Sequence, residues 1–164
     1  MSEIELGSVF ELAVRLAEAA VAVEVAAHHG LERAAKLIER DAKSQLGHYQ
    51  DAVGPFPDWA PLAQSTEEEK ARLGFPLEAP LLRTGALGES IQHEVSGLEA
   101  VVGSKSDVAA YQEFGTKYIP PRPFIGPAAF KNKDKIQRIL GAAVVQGLVG
   151  GAEIHKSLGY DMDI

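Results

Sequence analysis

Cysteine is absent from this 164-residue sequence, and aromatic residues make up only 7% of it. Without cysteine there is neither a disulfide framework nor a thiolate metal site, so a reducing cytoplasm is the natural setting. Basic residues are few, because 16 Lys and Arg face 23 Asp and Glu and the formal net charge is −7. This charge argues against sequence-independent nucleic-acid binding, in which Lys and Arg neutralise phosphates.

Long apolar runs are also missing. No run approaches the roughly 20 residues that cross a bilayer, since Arg15, Glu18 and Glu24 interrupt the most hydrophobic stretch. Near the start, Glu3 and Glu5 stand where a secretory signal carries Lys or Arg, so we expect neither export nor a membrane partner. The 46% hydrophobic content is nevertheless ample for the core of one domain.

A long N-terminal helix is predicted over residues 6–49. Residues 8–49 contain no proline, apolar residues recur at helical spacing, and Ser8 with Glu11 forms a capping box. An unbroken helix of that length would reach about 60 Å, which is longer than a compact domain of this size needs. We therefore expect the helix to break or bend at Gly30.

Residues 50–80 are predicted to form a Pro-rich loop followed by a short helix. Ser65 and Thr66 offer capping boxes for that helix, and Gly74 is expected to end it. The only tryptophan, Trp59, is expected to pin the loop to the body of the protein.

An antiparallel β-hairpin is predicted from segments 90–95 and 99–103, the first of which alternates apolar and polar residues. Within residues 81–149 the hairpin is followed by a short helix capped by Asp107, a Pro-rich segment and a C-terminal helix. Residues 150–164 are predicted to be a tail. We therefore expect a single α+β domain over the whole chain, with a small antiparallel sheet covered by the long N-terminal helix and the C-terminal helix.

Aromatic residues and prolines concentrate between Tyr111 and Phe124, a segment called here the proline strap: Tyr-Gln-Glu-Phe-Gly-Thr-Lys-Tyr-Ile-Pro-Pro-Arg-Pro-Phe. Gly115 is expected to end the preceding helix, and three prolines stiffen the segment around Arg122. One interpretation is a loop anchored on the core by Tyr111, Phe114 and Phe124. The other is a rigid contact element for another chain, and the two are compatible.

Residues at the end of the strap have further predicted roles. Arg122 should make a charge-assisted bond to a carboxylate or a carbonyl, within the subunit or across an interface. Phe124 should anchor the strap and, with Ile125, could add an edge strand before Pro127 opens the C-terminal helix.

Motifs for catalysis or cofactor binding are not found. The sequence has no Gly-rich phosphate loop, no Gly-x-Ser-x-Gly elbow and no His-Glu-x-x-His. Glu24, His28 and Glu32 fall at i, i+4 and i+8, a spacing that could bind a divalent metal but that arises readily in charged helices. Arg83 and Arg122 could bind an anion, although a structural salt bridge is the commoner use. We therefore predict no catalytic, metal or cofactor residues, and a protein that makes contacts rather than an enzyme.

Three short blocks carry a family resemblance: Leu81-Leu82-Arg83-Thr84-Gly85, Tyr111-Gln112-Glu113-Phe114-Gly115-Thr116 and Pro121-Arg122-Pro123-Phe124. Each block alone is a weak signal, but their joint occurrence in this order is specific. The chain resembles the tail-completion and head–tail joining family of long-tailed phages, over roughly residues 6–147. It is also similar to the virion-morphogenesis proteins of Mu-like phages.

The resemblance implies a non-enzymatic structural virion protein at the head–tail junction of a tailed phage, a prophage or a phage-like gene-transfer particle. Its partners would be identical subunits in a ring, expected to be a hexamer, and the neighbouring neck and tail-tube proteins, with DNA only in transit through the lumen. The protein would assemble in the host cytoplasm and reside in the virion. The candidate interface or structural residues are Arg83, Thr84, Gly85, Tyr111, Phe114, Gly115, Arg122 and Phe124.

Two alternative functions remain open. A tail-assembly chaperone would share these features but would be absent from the mature particle. A small metal-dependent hydrolase would need a polar pocket around Glu24, His28 and Arg83.

Overall fold

The computed structural model describes residues 9–150 and shows an α+β fold, which confirms the predicted class. A two-stranded antiparallel sheet is combined with six helices in this part of the chain. In chain order the elements are α1 (Val9–Gln45), α2 (Gln64–Leu73), α3 (Ala86–Ser90), β1 (Ile91–Ser96), β2 (Glu99–Ser104), α4 (Asp107–Phe114), α5 (Ile125–Lys131) and α6 (Lys133–Leu148).

The chain divides into two compact units. The first unit includes the described residues up to Ala34, the hairpin turn Val95–Glu99 and the residues that follow Asp134. The second unit consists of Ala35–Glu94 and Ala100–Asp134.

Helix α1 passes through Gly30 without interruption, so a break there is wrong, whereas the alternative of a bend stays a prediction. In the first unit, Gly30 and Gly147 instead allow α1 and α6 to pack closely. A Cβ atom on Gly30 would lie 2.8 Å from the Cβ of Ala143, and one on Gly147 would lie 2.6 Å from the Cα of Val23. At both positions the absence of a side chain therefore allows the two helices to pack closely. The predicted cap Ser8 lies outside the described residues.

Helix α2 begins at Gln64, one residue before the predicted caps. Ala63 occupies the N-cap position and no side chain caps the helix, so the capping boxes at Ser65 and Thr66 are wrong. The predicted end is confirmed, because Gly74 adopts a left-handed conformation with φ of 73°. The N–H of Phe75 then donates to the carbonyl of Lys70 at 2.9 Å, as in a Schellman-type helix end.

The predicted hairpin is confirmed, with Gly97 in its turn at a φ of 56°. Ser90 belongs to α3 rather than to the first strand, and its Oγ bonds to the Oγ of Ser104 at 2.8 Å. Helix α4 starts at Asp107 with Ser106 at the N-cap position, so Asp107 is not the cap. The core of the second unit comprises Ala42, Trp59, Ile91, Ala109, Phe124 and Ala128.

The segment after the strap is helical, so the predicted edge strand at Phe124 and Ile125 is wrong. Phe124 is the N-cap of α5, and Pro127 is its third residue rather than the start of one long C-terminal helix. Asn132 separates α5 from α6, and its Nδ2 donates to the carbonyl of Ala128 at 2.8 Å. Of the predicted tail 150–164, only Gly150 lies within the described residues.

The contact between α1 and α6 yields a test of stability. We expect Gly147→Ala to lower the free energy of unfolding by about 1–3 kcal/mol, because the methyl group meets helix backbone that cannot rotate away. This loss should exceed the gain of about 1 kcal/mol from helix propensity. Gly103→Ala is the control, since nothing lies within 4 Å of its added Cβ. Thermal melting checks both variants, and an unchanged Tm for Gly147→Ala would contradict the close packing.

Candidate functional site

The part of the proline strap that follows α4 begins with a backbone turn at Gly115. Gly115 ends α4 with a φ of 72°, as the sequence predicts. A Cβ there would lie 2.9 Å from both the carbonyl oxygen of Ile119 and the nitrogen of Pro121. The N–H of Thr116 donates to the Ile119 carbonyl at 2.8 Å, and the Thr116 hydroxyl accepts from the N–H of Tyr118 at 3.1 Å. The strap therefore folds back on itself before it reaches its prolines.

Arg122 fastens the strap to the loop that precedes α2. The side chain is only 6% exposed, and its Nε and Nη2 donate to the Ala60 carbonyl at 3.2 and 2.9 Å. Nη2 also donates to the Pro61 carbonyl at 3.0 Å. Burial lowers the pKa of Arg122 below its usual value, and nearby Tyr49 acts in the opposite sense. The predicted charge-assisted bond is thus made to carbonyls within the same chain.

Glu113 fixes the end of the strap and the start of α5 together. Its Oε2 accepts from the N–H groups of Phe124 at 2.8 Å and Ile125 at 3.0 Å, while Oε1 accepts from the N–H of Gly126 at 2.8 Å. These are N–H groups of the kind a helix start leaves without intrahelical partners, and a carboxylate is favoured beside the helix dipole there. The sequence prediction missed this role, because the capping residue lies eleven positions before Phe124 rather than within the helix.

The aromatic residues of the strap divide into one buried anchor and three exposed side chains. Phe124 is fully buried, as predicted, and Trp59 Nε1 donates to the adjacent Pro123 carbonyl at 2.9 Å. Tyr111 is 50% exposed and Phe114 is 81% exposed, so the interpretation that they anchor the strap on the core is wrong for both. Tyr118, which is not among the predicted interface residues, is 85% exposed.

A pocket of about 570 Å³ lies in the second unit between the strap and the Leu81–Gly85 block. It brings together four of the candidate residues, while the other four are not part of its lining. Arg83, Thr84, Gly85 and Arg122 line it together with Pro61, Leu62, Ala63, Thr66, Lys70, Leu81, Leu82, Ala86, Leu87, Ser106, Val108, Gln112, Tyr118, Ile119 and Pro120.

The charged side chains that line the pocket are all cations. Lys70 is only 2% exposed and donates from Nζ to the Ala79 carbonyl. Burial lowers the pKa of Lys70, Arg83 lowers it further, and Glu67 opposes this change. Arg83 is half exposed, pairs with Glu69 at 2.7 Å and lies over the ring of Phe75.

Helix α1 carries a second surface of interest within the first unit. An open apolar groove of about 480 Å³ is lined by Leu16, Ala19, Ala20, Val23, Glu24, Ala27, Leu98 and Leu148. Farther toward the start of α1, Val9 and Phe10 are 85% and 79% exposed. This part of the helix therefore presents apolar side chains that the described residues leave exposed.

The i, i+4, i+8 series Glu24, His28 and Glu32 lies on α1. His28 bonds through Nδ1 to the Gly97 carbonyl at 2.8 Å. Within residues 9–150, no three His, Asp or Glu side chains are grouped so that they could hold a metal ion. No helix in the same range combines the length and apolar character of a membrane span.

Comparison with known proteins gives no assignment: no family model matches the chain, and neither does any curated protein or solved structure.

The Glu113 contacts predict a measurable contribution to stability. Glu113→Ala should lower the free energy of unfolding by about 2 kcal/mol, because three backbone N–H groups lose their acceptor. Glu113→Gln should lose less, since its amide oxygen still accepts. The exposed Glu89→Ala variant is the control and should stay within about 0.5 kcal/mol. Denaturant unfolding that does not distinguish Glu113→Ala from Glu89→Ala would contradict this role.

Arg122 should likewise contribute to the stability of the isolated chain. We expect Arg122→Ala to cost about 2–4 kcal/mol, because a buried guanidinium group and its bonds to two carbonyls are lost together. Arg40→Ala is the control, because it removes the same charge from an exposed position and should have a much smaller effect on stability. Thermal melting of the purified variants separates the two, and a wild-type Tm for Arg122→Ala would mean that the carbonyl contacts contribute little.

Proposed function

We propose that this chain is a non-enzymatic structural protein of the head–tail junction in a tailed phage, a prophage or a phage-like gene-transfer particle. In this proposal it forms a ring, expected to be a hexamer, that joins the tail to the head and contacts neck and tail-tube proteins. The support begins with the three sequence blocks that resemble the tail-completion and head–tail joining family. Further support comes from the exposed aromatic residues of the strap, the apolar groove on α1 and the acidic composition.

The observation that carries the proposal is the exposure of the strap aromatics. Phe114 and Tyr118 leave 81% and 85% of their surface exposed, although aromatic side chains bury large apolar areas when they have a partner. The backbone around them is held by Glu113 and Arg122 through bonds within the chain. A rigid segment that presents exposed aromatic side chains loses little conformational entropy on docking, which favours a contact surface.

A ring also needs a second, different surface on each subunit. Head-to-tail contacts that close into a ring join one patch to a different patch on the next copy. The apolar groove on α1, with Leu16 and Leu148 at 62% exposure each, supplies a candidate for the second patch. Exposed apolar patches of this kind commonly mark protein–protein contacts.

The acidic composition agrees with a ring through which DNA passes. Each phosphate held by a lysine or arginine adds salt-dependent affinity and would slow sliding DNA. The net charge of −7 therefore supports a lumen without a continuous basic lining.

The test is to replace the exposed aromatic residues Phe114 and Tyr118 in the phage, prophage or gene-transfer system whose genome encodes this chain. Phe114→Ser and Tyr118→Ser should leave the Tm of the isolated protein unchanged, because neither side chain is buried. Together they should leave heads and tails unjoined, as counted by electron microscopy. Val101→Ser, which removes a 58% exposed apolar side chain outside the strap, is the control and should join normally.

Two outcomes would count against this function. Normal joining with both aromatic variants would show that the strap is not a contact surface. If mass spectrometry of purified wild-type particles failed to detect the chain while the variants still blocked assembly, the protein would be an assembly chaperone instead.

A further inference from the structure

The pocket beside the strap has a charge opposite to that of the chain as a whole. Its lining contains the cations Lys70, Arg83 and Arg122 and no carboxylate, in a protein with a net charge of −7. Lys70 and Arg122 are almost fully buried, and their hydrogen bonds among the described residues end on backbone carbonyls. Buried charges are usually paired with opposite charges. Arg83 also pairs with Glu69 at 2.7 Å, a carboxylate that does not line the pocket. Because the charged side chains in the lining itself are all positive, the pocket is suited to an anionic group.

The rest of the lining indicates what else an occupant must carry. Leucine, valine and isoleucine side chains also line the pocket, including Leu62, Leu81, Leu87, Val108 and Ile119. The volume of about 570 Å³ lies within the range of roughly 300–1,000 Å³ that ligand sites commonly have. An occupant that matches both features combines carboxylates with aliphatic side chains over a short length.

We propose that this pocket receives residues Asp161–Ile164 of a neighbouring copy of the chain, an inference that rests on the proposed ring. In an extended peptide, alternate side chains point to opposite sides. Bound in that form, Asp161 and Asp163 face the cations, and Met162 and Ile164 face the aliphatic lining.

The length of chain outside the described residues favours this segment over another of similar chemistry. Glu3-Ile4-Glu5-Leu6 also alternates acidic and aliphatic residues, but only two residues separate it from the start of α1 at Val9. Asp161 follows Gly150 by eleven residues, which can span up to about 35–40 Å. The later segment therefore has the longer connection to the described part of the chain.

The first experiment measures whether the pocket binds this peptide. The receptor is the full chain with Asp161→Asn and Asp163→Asn, so that its own segment carries no competing charge. The probe is a fluorescein-labelled peptide of residues 155–164 with an amidated end, so that the acidic side chains supply its negative charge. Fluorescence anisotropy should show saturable binding that weakens as salt rises. The peptide with both aspartates changed to asparagine should bind at least tenfold more weakly.

Pocket variants locate the binding site. Arg83→Ala and Thr84→Glu in the receptor should each weaken binding at least threefold, because one removes a cation and the other adds a carboxylate to the lining. Both positions are exposed, so the variants should fold. Arg72→Ala is the matched control, since this exposed arginine on the same helix as Lys70 does not line the pocket. Equal binding by the charged and neutral peptides, or equal effects of Arg83→Ala and Arg72→Ala, would overturn the proposal, as would tighter binding of a peptide of residues 1–8.

A complementation experiment tests whether the segment comes from another copy. The Thr84→Glu variant has an altered pocket but keeps the acidic segment Asp161–Ile164. The variant with Asp161→Asn and Asp163→Asn has an altered segment but keeps the pocket. Native mass spectrometry should show association in a mixture of the two that exceeds association of either alone. Peptide binding without such association would place the segment in its own pocket and overturn the proposed exchange between copies. These assays use purified protein, so they remain informative even if the chain proves absent from phage particles.

Discussion

The Glu113 carboxylate is the contact on which the arrangement of the strap depends. Because it accepts from three consecutive N–H groups, it joins the last turn of α4 to the first turn of α5. The strap between these helices must then form a closed loop of defined length. Within that loop, Arg122 bonds to the Ala60 carbonyl and Trp59 bonds to the Pro123 carbonyl, so the preceding Pro-rich segment is held as well. Glu113 thereby fixes two helix ends, while Arg122 and Trp59 attach the preceding loop to the strap.

This closed loop explains how the same segment can be both a core element and a surface element. The residues that point into the second unit, Arg122, Pro123 and Phe124, are buried, whereas Phe114 and Tyr118 are exposed. The three prolines limit backbone freedom between the buried and exposed parts. Exposed aromatics on such a backbone are held in place by bonds made elsewhere in the strap.

Several features that depend on neighbouring residues were predictable from the sequence, although the local caps at Ser65, Thr66 and Asp107 were predicted wrongly. Most features that depend on distant residues were missed, and the burial of Phe124 and the carbonyl partner of Arg122 are the exceptions. The hairpin and the helix ends at Gly74 and Gly115 follow from local alternation and from backbone conformations that favour glycine. The role of Gly30 was missed because a glycine within a helix pattern signals a break unless the packing partner is known. The pocket was missed for the same reason, since its lining residues come from segments between Pro61 and Arg122 that only the fold brings together.

The position of Trp59 has a spectroscopic consequence. It is the only tryptophan in the chain, it is 4% exposed, and its indole N–H is bonded to the Pro123 carbonyl of the strap. Indole emission depends on the polarity around the ring, so the intrinsic fluorescence of the protein comes mainly from one fluorophore at the base of the strap. Detachment of the strap would expose that ring to water and shift its emission to longer wavelength. The protein therefore contains its own optical reporter for the segment that carries the exposed aromatics.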